Sequence, residues 1–445
     1  MNAMKNSLRG LMQYPSAIVG LITVFLLVFT AIYAMVKIPY AEAIRLWRGG
    51  EEVWYQNPKF AAPAWINYFS ERKYAESFSA RTSDGSIVSE VTPGSEDTST
   101  MSATYAFDFN ADYYPQEMIV YLTSTFNEKQ PFVSMEWLTP DGRTIRIANL
   151  AISQKQTYRF AQDEKLRTRL RTEDVIATLF SDPETGELIK GRYRLSILGT
   201  TFEPESSIDA EFVFHGQVYG LAGTDQARRD LVVPLLWGAP VALMFGLIAS
   251  LGSSVLTMVI AAVGTWYGGW VDELIQRITE INLVLPFLSI LIMIGTFYSR
   301  SIWVMLGVTV ALSIFTGGIK AFRSIFLQVK ESMYIEAARA YGASGPRIVF
   351  NYLIPRMIPL LIPGLVSSVP AFVFLEASLA VLGLGDPVLP TWGKIIQDAN
   401  TNGALYRGYY YWILEPATLL MITGLGFAML GFALDRVFNP RLRDA

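Results

Sequence analysis

Few residues of this chain could do chemistry of their own. Its 445 residues contain no cysteine and one histidine, His215, and the aspartates and glutamates show no metal-loop spacing. Without cysteine, disulfides, thiol catalysis and thiolate metal sites are excluded. The isolated His215 favours a structural side chain over a ligand. The sequence therefore indicates neither a catalytic nor a metal site, and it directs attention to residues that could hold two surfaces together.

One short charged segment, residues 334–341, has the composition of a docking helix. It contains no glycine or proline and so favours a helix, and Gly342 can adopt the left-handed conformation that ends one. Ser344 is a suitable N-cap for a following helix, and Pro346 suits its first turn. The predicted local structure is helix, tight turn, helix.

Small residues dominate this segment. Ala337, Ala338 and Ala340 leave little bulk, so another surface can approach the backbone closely. Glu336 and Arg339 lie beside them and could orient or pair with a partner. Local physics equally allows a plain connector between two apolar segments, and both interpretations stay open at this point.

The elements around this segment are long apolar runs. Hydrophobic residues make up 51% of the chain and charged residues 17%, and the mean hydropathy is +0.31. This apolar content exceeds that of ordinary soluble domains, and the runs are long enough to cross a bilayer of ~30 Å. We predict an α-helical polytopic membrane protein with six transmembrane helices, at about residues 17–36, 233–266, 274–298, 302–322, 352–383 and 412–434.

Charge predicts the orientation of these helices. Lys5 and Arg9 precede the first run, which we interpret as a retained helix rather than a signal peptide because no clear cleavage site follows. Residues 40–230 hold 28 acidic and 20 basic side chains, whereas the rest holds 11 acidic and 16 basic. Since short cytoplasmic loops collect Lys and Arg, we predict the acidic block outside, and both termini and residues 334–341 inside.

The block between Pro39 and Gly220 has a different character. Polar turns separate short runs of β-branched and aromatic residues, which favours an antiparallel β domain such as a sandwich. The charged residues 154–179 are predicted to be helical. Since the block shows no catalytic constellation, docking and passive structural extension both remain open for it. The predicted strands are Ala103–Phe109, Met118–Phe126, Phe132–Leu138, Thr144–Leu150, Tyr193–Leu198 and Ile208–Phe214.

The docking segment also has a family resemblance. Glu336-Ala337-Ala338, followed by Gly342 and later by Ile354-Pro355, resembles the EAA loop of binding-protein-dependent ABC importer permeases. Tyr352 departs from the family pattern, which has isoleucine there. The resemblance implies that the loop, at about residues 331–356, forms a cytoplasmic coupling helix that docks in a cleft of an ATPase subunit. It assigns ATPase coupling to Glu336, Ala337, Ala338, Arg339, Gly342 and Pro355.

Further ordered matches narrow the resemblance to dipeptide and oligopeptide permeases of the DppC/OppC type. Residues 223–230, GTDQARRD, are similar to the family segment GTDxxGRD, with Arg228 where the family has its second glycine. The matching positions, expected outside the membrane before the second helix, are Gly223, Thr224, Asp225 and Asp230. Other similar segments are Gly268–Glu273, Glu376–Gly385, Thr391–Gly393 and Asn439–Arg443. The resemblance leaves residues 39–220 uncovered.

The resemblance implies a type I ABC importer permease fold. Residues 1–38 would form the cytoplasmic N-terminus and first helix, 39–220 an extracytoplasmic β-rich domain, and 221–445 the permease core. The implied location is the inner or plasma membrane. The implied partners are a second homologous permease, two ATP-binding subunits and an extracytoplasmic substrate-binding protein. The implied substrates are di- or oligopeptides, with oligosaccharides or nickel complexes as the alternative.

The chain lacks a GxxxxGK[ST] phosphate loop, so we expect it to bind no cofactor and its partner ATPase to hold ATP and Mg²⁺. Two other classes are alternatives for this chain: a membrane-anchored extracellular binding protein, and a channel or secondary transporter. The EAA loop disfavours both, because neither needs an ATPase dock.

Two features of the later spans complete the sequence predictions. Pro355, Pro359 and Pro363 recur every four residues and predict a bent span beside the coupling helix. Glu376 is the acid placed deepest in a predicted span, which makes it a candidate for the translocation pathway.

Overall fold

The structure is a computed structural model that describes residues 14–85, 87–94 and 98–438, and it divides into two compact units. The sheet unit spans Gly49–Val232, and the helical unit combines Met1–Arg48 with Val233–Ala445. Helix α1 (Pro15–Lys37) and helix α2 (Tyr40–Arg48) therefore fall in the helical unit. Helix α2 does so because its Ala43, 1% exposed, is buried in the same core as Trp237.

The described residues of the sheet unit form two antiparallel sheets. One has the strand order β1-β9-β4-β7 and the other the order β2-β3-β8-β5-β6. The strands are β1 Phe78–Arg81, β2 Val88–Pro93, β3 Ser99–Phe109, β4 Glu117–Thr125, β5 Phe132–Leu138, β6 Thr144–Ala151, β7 Lys155–Arg159, β8 Gly191–Thr201 and β9 Ser207–His215. Short helices connect them: α3 Glu51–Trp54, α4 Ile66–Phe69, a 3₁₀ turn at Phe160–Gln162, α5 Glu164–Leu170 and α6 Val175–Phe180.

An aromatic core joins the two sheets. Trp137 of β5 and Phe212 of β9 are fully buried, and the ring of Phe107 in β3 lies 5.1 Å from that of Phe214 in β9. Alternate residues of the strands point inward, as expected where two sheets face each other. In β8 these are Tyr193, Leu195 and Ile197. The predicted β-rich insertion is confirmed.

The strand predictions succeed for the central strands and for the edge strand β6, and fail at the other three edges. All six predicted strands are present within a few residues of the predicted bounds, but β1, β2 and β7 were missed. The helix predicted over 154–179 is wrong at its start, because Lys155–Arg159 pair with Ile119–Thr123 as an edge strand. Polar edge strands lack the alternation that marks buried ones, since little of their surface faces the core.

In the part of the helical unit that the structure describes, four helices are long and apolar enough to cross a membrane: Pro15–Lys37, Val232–Tyr267, Gly345–Leu384 and Tyr411–Phe438. Two bent pairs, with breaks of 78° and 46°, bring the number to six if each pair counts as one span. The six-span count thus stays a prediction. The remaining bounds are α7 Val232–Tyr267, α8 Gly269–Val284, α9 Phe287–Phe297, α10 Ile302–Ile314, α11 Gly317–Lys330, α12 Met333–Ala340, α13 Gly345–Ile348, α14 Ile354–Leu379, α15 Trp392–Thr401, α16 Ala404–Arg407 and α17 Tyr411–Phe438.

Close helix contacts explain the small residues of α7. A β-carbon added at Gly246 would stand 2.6 Å from a methyl group of Val373 in α14, so any larger residue would push the two helices apart. Four residues later, the Ser250 hydroxyl donates to the backbone oxygen of Leu365 at 2.6 Å. Small and hydroxyl residues are the usual means of joining helices in a membrane.

The prolines of α14 behave differently from the prediction at one position. Pro355 lies in the first turn of α14, where a proline breaks no helical hydrogen bond, rather than inside the span. Pro359, Pro363 and Pro370 lie inside the helix, which continues through them. The irregularity precedes the prolines, because residues Val349–Leu353 form a π-helical turn that links α13 to α14.

Candidate functional site

The predicted docking helix is α12, Met333–Ala340, one residue earlier than the sequence indicated. Ile335, 0% exposed, and Ala338, 8% exposed, are the buried residues of this helix, and Ile335 belongs to a core cluster that includes Phe326 and Leu353. Glu336 and Ala337 are exposed. The helix is thus fixed on one side and offers its acid and a small residue on the other.

Gly342 ends this helix as predicted. Its φ of 78° lies in the left-handed region, which favours glycine. The turn that follows is closed by two backbone hydrogen bonds, from Gly342 N to Arg339 O at 2.9 Å and from Ala343 N to Ala338 O at 3.0 Å. Ser344 occupies the N-cap position of α13 without a side-chain capping bond, and Pro346 lies in the first turn.

Cation–π contacts hold α12 and the preceding helix against the end of α7. The guanidinium of Arg339 lies 5.6 Å from the ring centre of Trp266, and the Lys330 ammonium lies 5.7 Å from the same ring. Lys330 Nζ also donates to the backbone oxygen of Thr265 at 2.9 Å. This positive charge is favourable at the carboxyl end of α7, where the helix dipole is negative. Arg339 therefore positions the helix while remaining exposed, and Glu336 is the exposed acid of the helix.

A depression opens beside α12. It encloses about 330 Å³. Tyr352, the residue that departs from the family pattern, is half-buried and forms part of the wall. A tyrosine here supplies a ring and a hydroxyl where isoleucine would supply only methyl groups. The lining residues are Tyr334, Ala338, Tyr341, Ala343, Arg347 and Tyr352.

Sequence reasoning missed an ion pair that braces this end of the helical unit. Arg323 of α11 binds Asp272 of α8 through two nitrogens, at 2.8 and 2.6 Å. This bidentate geometry is the strong form of an arginine–carboxylate contact. Asp272 lies in the Gly268–Glu273 segment that matched the family, but its partner is 51 residues away and no local signal marks it.

The GTD segment is built into the sheet unit. Thr224 is fully buried, and its hydroxyl donates to Pro58 O at 2.7 Å and accepts from Ala61 N at 3.0 Å. Asp225 is 1% exposed and binds Arg229 Nε at 2.5 Å. Burial raises the pKa of Asp225, and the charge of Arg229 opposes the rise. These residues join the incoming and outgoing segments of the unit.

The same segment shows how two of the matched positions shape the turn. Gly223 has a φ of 72°, and Asp230 accepts a hydrogen bond from Val232 N at 2.9 Å, where α7 begins. An aspartate at a helix start satisfies an unpaired N–H and suits the helix dipole. The structure therefore gives the matched residues a clear role in building the turn, and their external location stays a prediction.

Arg228, where the family pattern has glycine, adopts a backbone conformation that favours glycine. Its φ of 65° lies in the left-handed region, which costs an ordinary residue about 1 kcal/mol. Arginine does not favour this backbone conformation. The contacts of its side chain offset the cost of the left-handed φ.

That side chain is buried among polar groups of the sheet unit. Arg228 Nη1 donates to Asn57 O at 2.7 Å and lies 3.2 Å from Nδ1 of His215, and Nη2 donates to Glu117 Oε2 at 3.3 Å. Glu117 also binds Arg159 at 2.5 Å. His215, 1% exposed, is part of this network, which fits the predicted structural role. A buried charge requires such partners.

Acid is expected to weaken the sheet unit through Glu117. Burial raises the pKa of Glu117, but the His215 hydrogen bond and the Arg159 charge outweigh it and lower the pKa from 4.5 to about 2. The stabilisation is full above the unfolded value and is lost as pH falls from about 4.5 to about 2. In thermal unfolding of the full chain, Glu117→Gln should flatten the pH dependence in this window, with exposed Glu90→Gln as control. Equal slopes for all three proteins would contradict the assignment.

Glu376, the candidate pathway acid, lies in α14 and is 7% exposed. The Thr391 side chain is within hydrogen-bonding reach of its carboxyl group and also accepts from Lys394 N at 3.2 Å, so it caps α15. A β-carbon at Gly393 would stand 2.6 Å from Ala377 Cα, so α15 meets α14 next to Glu376. The surroundings fit a structural joint, and a pathway role stays a prediction. The matched segment Asn439–Arg443 lies outside the described residues.

Comparison with known proteins connects this helical unit to a family. Residues 253–444 match the family described as binding-protein-dependent transport system inner membrane component. This range starts within α7 and runs through α12 and α17, and it contains no part of the sheet unit.

Curated relatives agree with the family match. The chain is 28% identical over 222 residues to the dipeptide transport system permease protein DppC of Bacillus subtilis, covering 50% of this chain and 68% of the relative. It is 29% identical over 226 residues to the oligopeptide transport system permease protein OppC of the same organism, covering 50% and 72%. It is 27% identical over 227 residues to the glutathione transport system permease protein GsiD of Pectobacterium atrosepticum, covering 50% and 73%. These matches identify residues 253–444, less than half of the chain, as a binding-protein-dependent transport system inner membrane component.

Proposed function

We propose that this chain is the permease subunit of an ATP-driven ABC importer for di- or oligopeptides. It would form half of a translocation pathway and share the pathway with a second homologous permease. The similarity to dipeptide and oligopeptide permeases supports the substrate class. The apolar helices of the helical unit supply the membrane-embedded part.

The observation that carries the proposal is that α12 is buried on one side and exposed on the other. Its buried residues Ile335 and Ala338 fix it, while Glu336 and Ala337 remain exposed next to the depression of about 330 Å³. An exposed face with one acid and small residues, flanked by the exposed side chains of Met333 and Tyr341, lies beside a concave rim and suits insertion into a cleft of another protein. A movement of α12 would pass to the membrane helices through Arg339 and Lys330 on Trp266, as expected of a two-state element biased from a distant site.

The orientation follows from charge. The basic residues around α12 favour the cytoplasmic side for this helix and for both termini. The acidic sheet unit would then be extracytoplasmic, where a substrate-binding protein delivers cargo. Two ATP-binding subunits on the cytoplasmic side would hold ATP and Mg²⁺ and perform hydrolysis, so this chain acts without a catalytic residue.

Cross-linking tests the docking role directly, because the chain has no cysteine of its own. In the reconstituted assembly, Ala337→Cys with a thiol–amine cross-linker is expected to join this chain to the ATPase subunit. Leu198→Cys, an exposed position of the sheet unit, is the matched control and should give no ATPase product. If both positions give the same ATPase yield, α12 is not the dock.

A further inference from the structure

The sheet unit exposes a cluster of large apolar side chains at one place. Of the seven large hydrophobic residues exposed within the described part of Gly49–Val232, four lie together, and we call them the aromatic patch: Trp65, Tyr68, Phe69 and Leu221. They are 43%, 86%, 84% and 76% exposed. Single exposed hydrophobic residues are ordinary in proteins, whereas a contiguous group marks an interaction surface.

The patch is held in shape by its own contacts. The rings of Trp65 and Phe69 meet edge to face with their centres 6.2 Å apart, and Trp65 Nε1 donates to Leu221 O at 3.0 Å. The short helix α4 carries Tyr68 and Phe69 on a tight turn, closed by Tyr68 N to Trp65 O at 3.0 Å. The apolar surface is therefore formed by contacts within the chain and does not require a partner to take this shape.

The patch lies where the chain enters and leaves the sheet unit. The incoming and outgoing segments run side by side, joined by Phe60 N to Asp225 O at 3.2 Å and by Ala64 N to Gly220 O at 2.9 Å. The first of these segments follows helix α2, which ends at Arg48, and the second leads into α7 at Val232. Trp65 and Leu221 are the next residues along this same pair of segments. The patch is thus close in the chain to both connections with membrane helices.

The chemistry of the patch suits the boundary of a bilayer. Trp and Tyr concentrate at membrane interfaces, where an apolar ring and a polar group each find a matching environment. Of the exposed residues that follow α4, Arg72 offers a cation for lipid phosphates, Glu71 opposes it, and Lys73 Nζ donates to the backbone oxygens of Asn67 and Ser70. The nearness of these residues along the chain to both connections with apolar helices favours lipid as the occupant.

We propose that the aromatic patch inserts into the interfacial region of the bilayer that the chain spans, and that it anchors the sheet unit to lipid. The occupant is the boundary between phospholipid headgroups and acyl chains. The patch extends the membrane contact that the spanning helices already make, and this inference does not depend on peptide transport or on ATPase docking.

Fluorescence quenching in nanodiscs tests the anchor. Single substitutions Tyr68→Cys and Phe69→Cys in the full cysteine-free chain would each carry an environment-sensitive dye, and Leu198→Cys, 49% exposed on β8, is the control. The nanodiscs would hold phosphatidylcholine and phosphatidylglycerol, with and without lipids that bear a nitroxide close to the headgroup.

The anchor predicts blue-shifted emission and strong quenching by the nitroxide lipid at Tyr68 and Phe69, and weak quenching at Leu198. Equal quenching at all three positions would overturn it. Shielding that appears only when a substrate-binding protein or second permease is added would also overturn it, because the occupant would then be a protein. Since all labelled side chains are exposed, a folding defect is not expected, and unchanged thermal unfolding would verify this.

Discussion

Replacing Gly342 with proline is expected to uncouple ATP hydrolysis in the ATPase subunit from the permease. The variant chain should still insert into the lipid bilayer. Proline fixes φ near −65°, whereas Gly342 has a φ of 78° and its N–H closes the turn on Arg339 O. The exposed face of α12 would therefore lose its orientation. The measurement is ATPase activity of the reconstituted assembly, with and without substrate-binding protein, and we expect loss of the stimulated component.

An alanine pair separates backbone conformation from bulk. A β-carbon at Gly342 or at Gly364 would meet nothing within 4 Å, but only Gly342 has a positive φ. Gly342→Ala should weaken the coupling, because a left-handed residue with a side chain costs about 1 kcal/mol, and Gly364→Ala should leave it unchanged. Full stimulated activity in Gly342→Pro would show that this turn has no part in coupling.

Replacing Arg228 with methionine is expected to lower the free energy of unfolding of the sheet unit by about 3 kcal/mol, because one partner of a buried charged network is removed. Glu117 would lose the 3.3 Å contact, and Asn57 O would lose its 2.7 Å donor. Methionine retains much of the volume and the strained φ, so the loss reports the charge and its hydrogen bonds. Chemical denaturation of the full chain measures it, with unfolding of the sheet unit followed by an environment-sensitive dye on Leu198→Cys, an exposed position of β8 in a chain without other cysteines.

The glycine of the family pattern provides the comparison. Arg228→Gly removes the same contacts but relieves the left-handed strain, so its loss should be smaller than that of the methionine variant by about 1 kcal/mol. A double-mutant cycle with Glu117→Gln should show coupling between the two side chains. If Arg228→Gly is as stable as the parent and the cycle is additive, the network does not hold the turn.

Local signals were enough to predict the docking helix and its turn. The run without glycine or proline gave α12 to within one residue, and Gly342 has the predicted left-handed backbone. Both depend on residues within a few positions of each other. The contacts of Arg339 with Trp266 and of Arg323 with Asp272 could not be predicted from the sequence. The two residues of each pair are far apart in the chain and come together only in the folded structure.

The position of Arg228 shows the same limit more sharply. The sequence marked it as a departure from a glycine pattern, but its partner Glu117 lies 111 residues earlier. No periodicity links two such positions. The strands also differ in how far the sequence predicts them. Strands β5 and β8 alternate buried and exposed residues and were predicted, whereas the polar edge strand β7 lacks this alternation and was predicted as helix.

The central claim is that this chain is a permease that moves peptides only when an ATPase acts on α12. The most direct measurement is uptake of a labelled dipeptide or oligopeptide into proteoliposomes that contain the chain, its second permease, the ATPase and the substrate-binding protein. We predict uptake that requires ATP on the side of α12 and is lost in Glu336→Lys, while Glu90→Lys, an exposed acid of the sheet unit, retains it. Peptide uptake that proceeds without ATP, or that Glu336→Lys leaves intact, would contradict the claim.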